Sequence, residues 1–248
     1  QGQYVFPGAV DPHVHLELPT PAGPSSDDFY SGSLAALLGG TTTLIDFVTP
    51  ARGESLVDAL VQRRSEAAKS VVDYTFHGGL SDWHSGSADE MRHCVEDYGL
   101  KSFKAYLAYR KTIGVDYAAL KEIMMSARSL GAVVCVHCED GLAIERLQSA
   151  FLLQGKTSPE YHALSRPPIT EISAVDEVIR LCEATNCSTY LVHMSTAGSV
   201  KAIRHARQRG LPLRAETCPQ YLLLDEQLYA SGLPGSLAYV MSPPLRAE

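Results

Sequence analysis

The sequence predicts an α/β chain built as a TIM-type (β/α)8 barrel that stops before its eighth strand. Three observations carry that expectation. Short apolar runs alternate with helix-period stretches along the chain, the order that gives parallel strands covered by helices. Seven strand signals can be read, against the eight strands and about 250 residues of a closed barrel. Histidines sit at the ends of three of those signals. A barrel gathers such ends at one mouth, whereas an open doubly wound sheet spreads them along a line. Rhythm alone leaves the open sheet as an equal alternative; the histidines favour the barrel.

The strand signals fall at residues 4–10, 42–47, 71–77, 99–106, 132–137, 189–193 and 213–217. The first helix can be capped by Ser26 or Asp27 and ends at Gly39-Gly40. Asp116 can cap a helix that lines up Leu120, Ile123, Met124 and Ala127 and stops at Gly131, since Asp accepts from free amides at a helix start and Gly tolerates the left-handed turn at its end. A helix over 172–184 turns Ala174, Val175, Val178, Ile179 and Cys182 to one side. Another follows Ser195, with Val200, Ile203 and Ala206 expected inward. The segment after 217 carries Pro234, Gly235, Pro243 and Pro244 and reads mainly as loop. Residues 1–248 are thus expected to form one incomplete barrel domain of about seven βα units.

The composition is that of an ordinary globular protein, with 45% hydrophobic and 20% charged residues in 248. The net charge is -7 and no Lys/Arg run stands out, which argues against nucleic acid or an anionic membrane as partner. No apolar stretch reaches the roughly 18 residues of a membrane span. The start, Gln1-Gly2-Gln3-Tyr4, lacks both the layout of a signal peptide and an initiator Met, so a processed or cut N-terminus is expected. The 6 cysteines are scattered in a chain too large to need disulfide staples. They are expected to be reduced and the compartment cytoplasmic.

The chemistry concentrates in a few residues. His13 and His15 flank one valine, and in a strand residues two apart point to the same face, so both rings could reach one ion. Alone, such a pair is more often incidental. His137 and His193 each end an apolar run; singly, each reads better as a structural histidine. Lys104 lies inside the run Ser102-Phe103-Lys104-Ala105-Tyr106-Leu107. Lysine is rarely buried, and burial lowers its pKa and supplies neutral amine. A neutral amine can take up carbon dioxide to give a carbamate, an anionic bridge able to hold two cations about 3.5–4 Å apart. The competing reading is a lysine that snorkels to the barrel mouth or pairs with an acid. Cys135-Val136-His137-Cys138 contains a Cys-x-x-Cys, but it sits in a strand with no second half-site, which weighs against a redox or structural zinc role.

In this order the motifs resemble the dihydropyrimidinase/hydantoinase branch of the amidohydrolase superfamily. The matching stretches are Pro7-Gly8-Ala9-Val10-Asp11-Pro12-His13-Val14-His15-Leu16, Gly39-Gly40-Thr41-Thr42-Thr43-Leu44-Ile45-Asp46-Phe47, Ser102-Phe103-Lys104, Val136-His137-Cys138-Glu139, Leu191-Val192-His193 and Ser242-Pro243-Pro244-Leu245-Arg246. They span essentially the whole chain.

The resemblance implies two zinc ions per subunit. His13 and His15 would hold one, His137 and His193 the other, and N6-carboxylysine at Lys104 would bridge them around a nucleophilic hydroxide. Tyr109 would donate to the developing oxyanion, and Ser242 would bind the substrate ring. The implied reaction opens the cyclic amide of a dihydropyrimidine or hydantoin to an N-carbamoyl amino acid, in a homotetramer. Glu17 stands where dihydroorotases carry an arginine for the substrate carboxylate, which disfavours that substrate. An allantoinase-like hydrolase, a mononuclear amidohydrolase with Lys104 unmodified and a non-catalytic dihydropyrimidinase-related scaffold are the alternatives. The family's eighth-strand aspartate, its substrate-binding asparagine and its accessory β-sandwich find no counterpart in these residues. A fragment is therefore expected, one that would turn over little if the chain ends at Glu248.

Overall fold

A computed structural model describes residues 2–20 and 23–247; Gln1, Pro21, Ala22 and Glu248 lie outside the described residues. Seven parallel strands form its main sheet: β1 (Ala9–Asp11), β2 (Thr41–Val48), β3 (Asp73–Gly79), β4 (Ser102–Tyr106), β5 (Val133–His137), β6 (Thr189–Leu191) and β7 (Leu213–Ala215). They pair in strict chain order. Between them run α1 (Phe29–Leu38), α2 (Leu56–Ala67), α3 (Ser87–Tyr98), α4 (Tyr117–Ser129), α5 (Gly141–Leu153), α6 (Pro159–Leu164), α7 (Pro168–Thr185) and α8 (Ala197–Gln208).

The sheet is curled. A flat sheet of seven strands would hold its edges roughly 29 Å apart at about 4.8 Å per step. Yet His13, just past β1, hydrogen-bonds Glu216, just past β7. That contact is possible only if the strand ends bend round to one mouth, as in a barrel.

Alternation along the strands separates two environments. Leu44 and Val48 of β2, Phe103 and Ala105 of β4, and Val134 and Val136 of β5 face the helices and join Leu120, Ile123, Met124 and Ala127 of α4 in one core. The other face turns Phe47, His77, Lys104, Tyr106, Cys135 and His137 inward; the β4–β5 register sets Lys104 opposite Cys135 and Tyr106 opposite His137. Where β3 ends, a Cβ at Gly79 would lie 2.3 Å from the Val48 carbonyl oxygen, so only glycine lets β3 approach β2 there.

The structure moves several sequence boundaries. The first strand covers Ala9–Asp11 rather than 4–10. Its ladder starts where Ala9 meets Thr41, and with no partner strand before Thr41, Tyr4, Val5 and Phe6 stay exposed. The α1 cap is Asp28, not Ser26 or Asp27, because Asp28 and Ser31 complete a reciprocal capping box. Val200 is exposed; Ser199, Ile203 and Ala206 form the buried face of α8. The segment after β7 holds α9 (Pro219–Leu223) and two 3-10 turns, Glu226–Ser231 and Gly235–Tyr239, where loop was expected. It ends with Leu245 buried and its amide bonded to the Tyr229 hydroxyl at 2.9 Å.

Candidate metal centre

The strand ends open into a cleft of about 1650 Å³ whose walls include His13, His15, Lys104, Tyr109, His137, His193 and Ser242. The structure therefore brings all seven sequence-predicted residues to one place. His13 and His15 follow β1, Lys104 is the middle residue of β4, His137 closes β5, and His193 stands two residues past β6 with a left-handed backbone (φ 45°). Ring centroids of His13 and His193 are 5.5 Å apart, and those of His137 and His193 4.6 Å.

Each imidazole has a defined orientation. A carboxylate only accepts, so the Nδ1–H of His13 donates to Glu216 and leaves Nε2 bare. The Nε2 atoms of His13 and His15 stand 3.3 Å apart. Two imidazole nitrogens on one tetrahedral zinc, each at about 2.0–2.1 Å, are separated by about 3.3 Å. The His15 ring stacks on Phe47, centroids 4.5 Å apart. His137 donates from Nε2 to Glu139 (2.8 Å), leaving Nδ1 towards the cleft, and Arg166 donates to the same carboxylate oxygen at 2.6 Å. Hydrogen bonds of this kind are what fix ring and tautomer in metal-ligating histidines.

Lys104 is fully buried and its Nζ has no hydrogen-bond partner. It lies 4.9 Å from the Tyr106 ring centroid and 5.2 Å from that of Phe47. Burial brings its amine down to about 8. Burial also lowers His15 to about 3, helped by the neighbouring charges of His13 and Lys104, and holds His193 well below the ordinary imidazole range. Both imidazoles are thus favoured in the uncharged form that a ligand requires, and the Lys104 amine has a larger neutral fraction near neutral pH than an ordinary lysine, the form a carbamate precursor requires.

As they stand, no three His, Cys, Asp or Glu side chains among the described residues meet around a common point. Glu216 and Glu139 occupy one nitrogen each of His13 and His137. The donors nevertheless fit a pair of borderline cations on this structure's own terms. Among the buried polar atoms of cleft-lining residues, Lys104 Nζ and His193 Nδ1 have no partner, and such atoms are costly unless something binds them. The His13–His15 spacing matches one tetrahedral ion, and neutral imidazole suits zinc.

Tyr109 is held in a left-handed conformation (φ 59°) with its ring 5.4 Å from that of His137. Ser242 and Arg166 lie near enough to its phenol to oppose the rise that burial causes. Ser242 also lies 3.2 Å from His162. Glu17 lines the cleft and pairs with Lys69 at 2.9 Å. Cys135 and Cys138 are free buried thiols; Cys135 faces inward, 3.6 Å from His77, with no disulfide to support a redox motif.

Four participants escaped sequence reasoning. Glu216 and Glu139 orient histidines. Arg166 braces Glu139 and lies 5.3 Å over the Tyr109 ring. His77 accepts from the Ser102 hydroxyl at 2.6 Å and donates to the Pro12 carbonyl at 2.9 Å, bracing the segment that carries His13. An acid one residue past a short apolar run was the available signal for Glu216.

A curled parallel sheet with four histidines and a buried lysine at one mouth is the architecture of an incomplete amidohydrolase-type barrel. The amidohydrolase family model matches residues 4–233, and the chain belongs to that family. Within it, the chain is similar to the D-hydantoinase of Geobacillus stearothermophilus, with 42% identity over all of this chain and 53% of the relative. It is also similar to the dihydropyrimidinase of Arabidopsis thaliana, at 38% identity over 99% of this chain and 46% of the relative. The solved D-hydantoinase (dihydropyrimidinase) from Thermus sp. superposes with a TM-score of 0.95 at 38% identity, over 99% of this chain and 54% of that one. The chain spans about half the length of the relatives it matches.

Proposed function

We propose that the protein hydrolyses the ring amide of a hydantoin or dihydropyrimidine to an N-carbamoyl amino acid, at a dinuclear zinc centre whose ligands in this chain are His13, His15, Lys104, His137 and His193. The observation that carries this reading is the Lys104 amine, buried, partnerless and lowered to about 8, in a cleft lined by all four histidines. The neutral fraction of such an amine could take up carbon dioxide, with loss of a proton, and the resulting carbamate would supply an anionic ligand for the metal. The names of the relatives point to the same substrate class.

Zinc bound there would supply a Lewis acid for the scissile carbonyl and an acidified water. The remaining work falls to the chain's own side chains. His13 and His15 present Nε2 together, with Glu216 holding the proton on His13 Nδ1. His137 is turned by Glu139 to offer Nδ1. Burial raises the Tyr109 phenol above its ordinary range, so it keeps its proton at neutral pH and can donate to the developing oxyanion. Ser242, on the same cleft wall as Tyr109, would hold the substrate ring. Glu17 on the cleft wall is already paired with Lys69 and offers no cation to a carboxylate substrate, which favours an uncharged ring. The same reading makes the protein a cytoplasmic homotetramer.

The test is a turnover assay on the full-length protein expressed with zinc. Hydantoin and dihydrouracil should give N-carbamoyl glycine and N-carbamoyl β-alanine, and both reactions should stop after chelation or in Lys104→Ala. A zinc-loaded protein that opens neither ring contradicts the proposal.

A further inference from the structure

His15 is held by more than its own strand. The residue after it, Leu16, has both of its main-chain polar groups taken by one buried ion pair. The Leu16 amide donates to Asp46 at 2.8 Å, and Arg63 donates to the Leu16 carbonyl. Asp46 belongs to β2 and faces away from the cleft; Arg63 belongs to α2, and both side chains are buried. They join through Nε (3.1 Å) and Nη2 (2.7 Å) to one carboxylate oxygen. That oxygen also accepts from the Phe47 amide at 2.7 Å, and Phe47 is the ring on which His15 stacks, tilted by 27°. Phe29 covers the guanidinium at 4.5 Å. The backbone after His15 and the ring beneath it are therefore tied to the same carboxylate.

A buried ion pair is a poor source of stability, because desolvation offsets its attraction and an apolar pair of similar size often does as well. Its value here is geometric. We propose that Asp46 and Arg63 are a positioning pair that fixes the His15 imidazole against Phe47, in register with His13, and so sets the affinity of the first metal position. The inference rests on the metal-centre reading. It adds Asp46, which lies behind the cleft, and Arg63, which borders it; both reach His15 through Leu16 and Phe47.

The test compares the full-length parent with Asp46→Leu/Arg63→Met, which keeps the volume buried and removes both buried charges together, leaving only the part-exposed Glu66 without its Arg63 partner. Side-chain NMR of the zinc-free proteins reads the His15 ring protons, which the Phe47 ring shifts in the parent. Zinc titration then reads affinity. The expected result is a folded variant whose His15 resonances move towards unstacked values and whose zinc affinity falls roughly 10–100-fold, the usual effect of losing support behind a ligand. Unchanged resonances and affinity overturn the proposal. Should the double variant fail to fold, Arg63→Lys keeps the charge but loses the fork; a smaller move in both readouts supports the pair, and none overturns it. A parent that takes up no zinc sinks the metal-centre reading instead, while the His15 resonances still decide whether the pair orients that ring.

Discussion

Replacing Lys104 by Met is expected to make the zinc-free protein more stable and to destroy its metal centre. The magnitude follows from the burial of the amine. Its fall from 10.5 to about 8 corresponds to about 3 kcal/mol, the cost of enclosing an ammonium with no partner. The sign is fixed by linkage. Between about pH 8 and pH 10.5 the unfolded chain binds the Lys104 proton and the folded chain does not, so the parent's stability rises with pH across that window. Below about pH 8 both states bind it and the cost is fully present. Met fills a similar volume without the charge. The variant should therefore exceed the parent by about 3 kcal/mol at pH 7, with the gap closing towards pH 10.5. Urea unfolding of both proteins, zinc-free and in bicarbonate-free buffer from pH 7 to 10, measures it. A Met variant no more stable than the parent at pH 7, or a gap that ignores pH, would refute the account of this lysine.

Tyr109→Phe removes the proposed oxyanion donor and should lower kcat roughly 10²–10³-fold with little change in zinc content; steady-state kinetics with parallel metal analysis check this. Glu216→Gln weakens the group that holds the proton on His13 Nδ1 and should cost roughly 10–100-fold in zinc affinity, read by competition with a chromophoric chelator. Glu139→Ala leaves Arg166 buried without its counter-charge and should destabilise the fold by about 3–5 kcal/mol, seen as a lower urea midpoint. Chelating the metal should lower the thermal midpoint, and added zinc should restore it, rising with the logarithm of the free zinc concentration, because zinc binds the folded chain more tightly than the unfolded one.

Much of this was legible in the sequence because the fold is written in local patterns. The strands β4 and β5 stand out as apolar runs that must be buried on both faces, and Asp116 and Gly131 bracket α4 as expected. Lys104 was legible because a charge inside such a run needs a reason. What the sequence hid is pairing over distance. Arg63 looks like one more surface arginine on α2 until the structure sets it against Asp46, 17 residues earlier in the chain. Glu139 and Arg166 are 27 residues apart, and Glu216 meets His13 across 203; no periodicity records such meetings. Asp46 did leave a trace: an acid in an apolar strand, on the face opposite Phe47. Small boundary errors came from local competition. Asp28 outcompetes Asp27 because Ser31 returns its bond, and β1 is short because its partner begins only at Thr41.

The central claim is that four imidazoles and one modified amine, far apart in sequence, hold a pair of metal ions at the barrel mouth. Diffraction at the zinc edge from crystals of the zinc-loaded protein tests it most directly. The account predicts two anomalous peaks, one beside His13 and His15 and one beside His137 and His193, with carbamate density on Lys104 Nζ between them. A cleft with no anomalous peak near these residues and a bare Lys104 amine would contradict it.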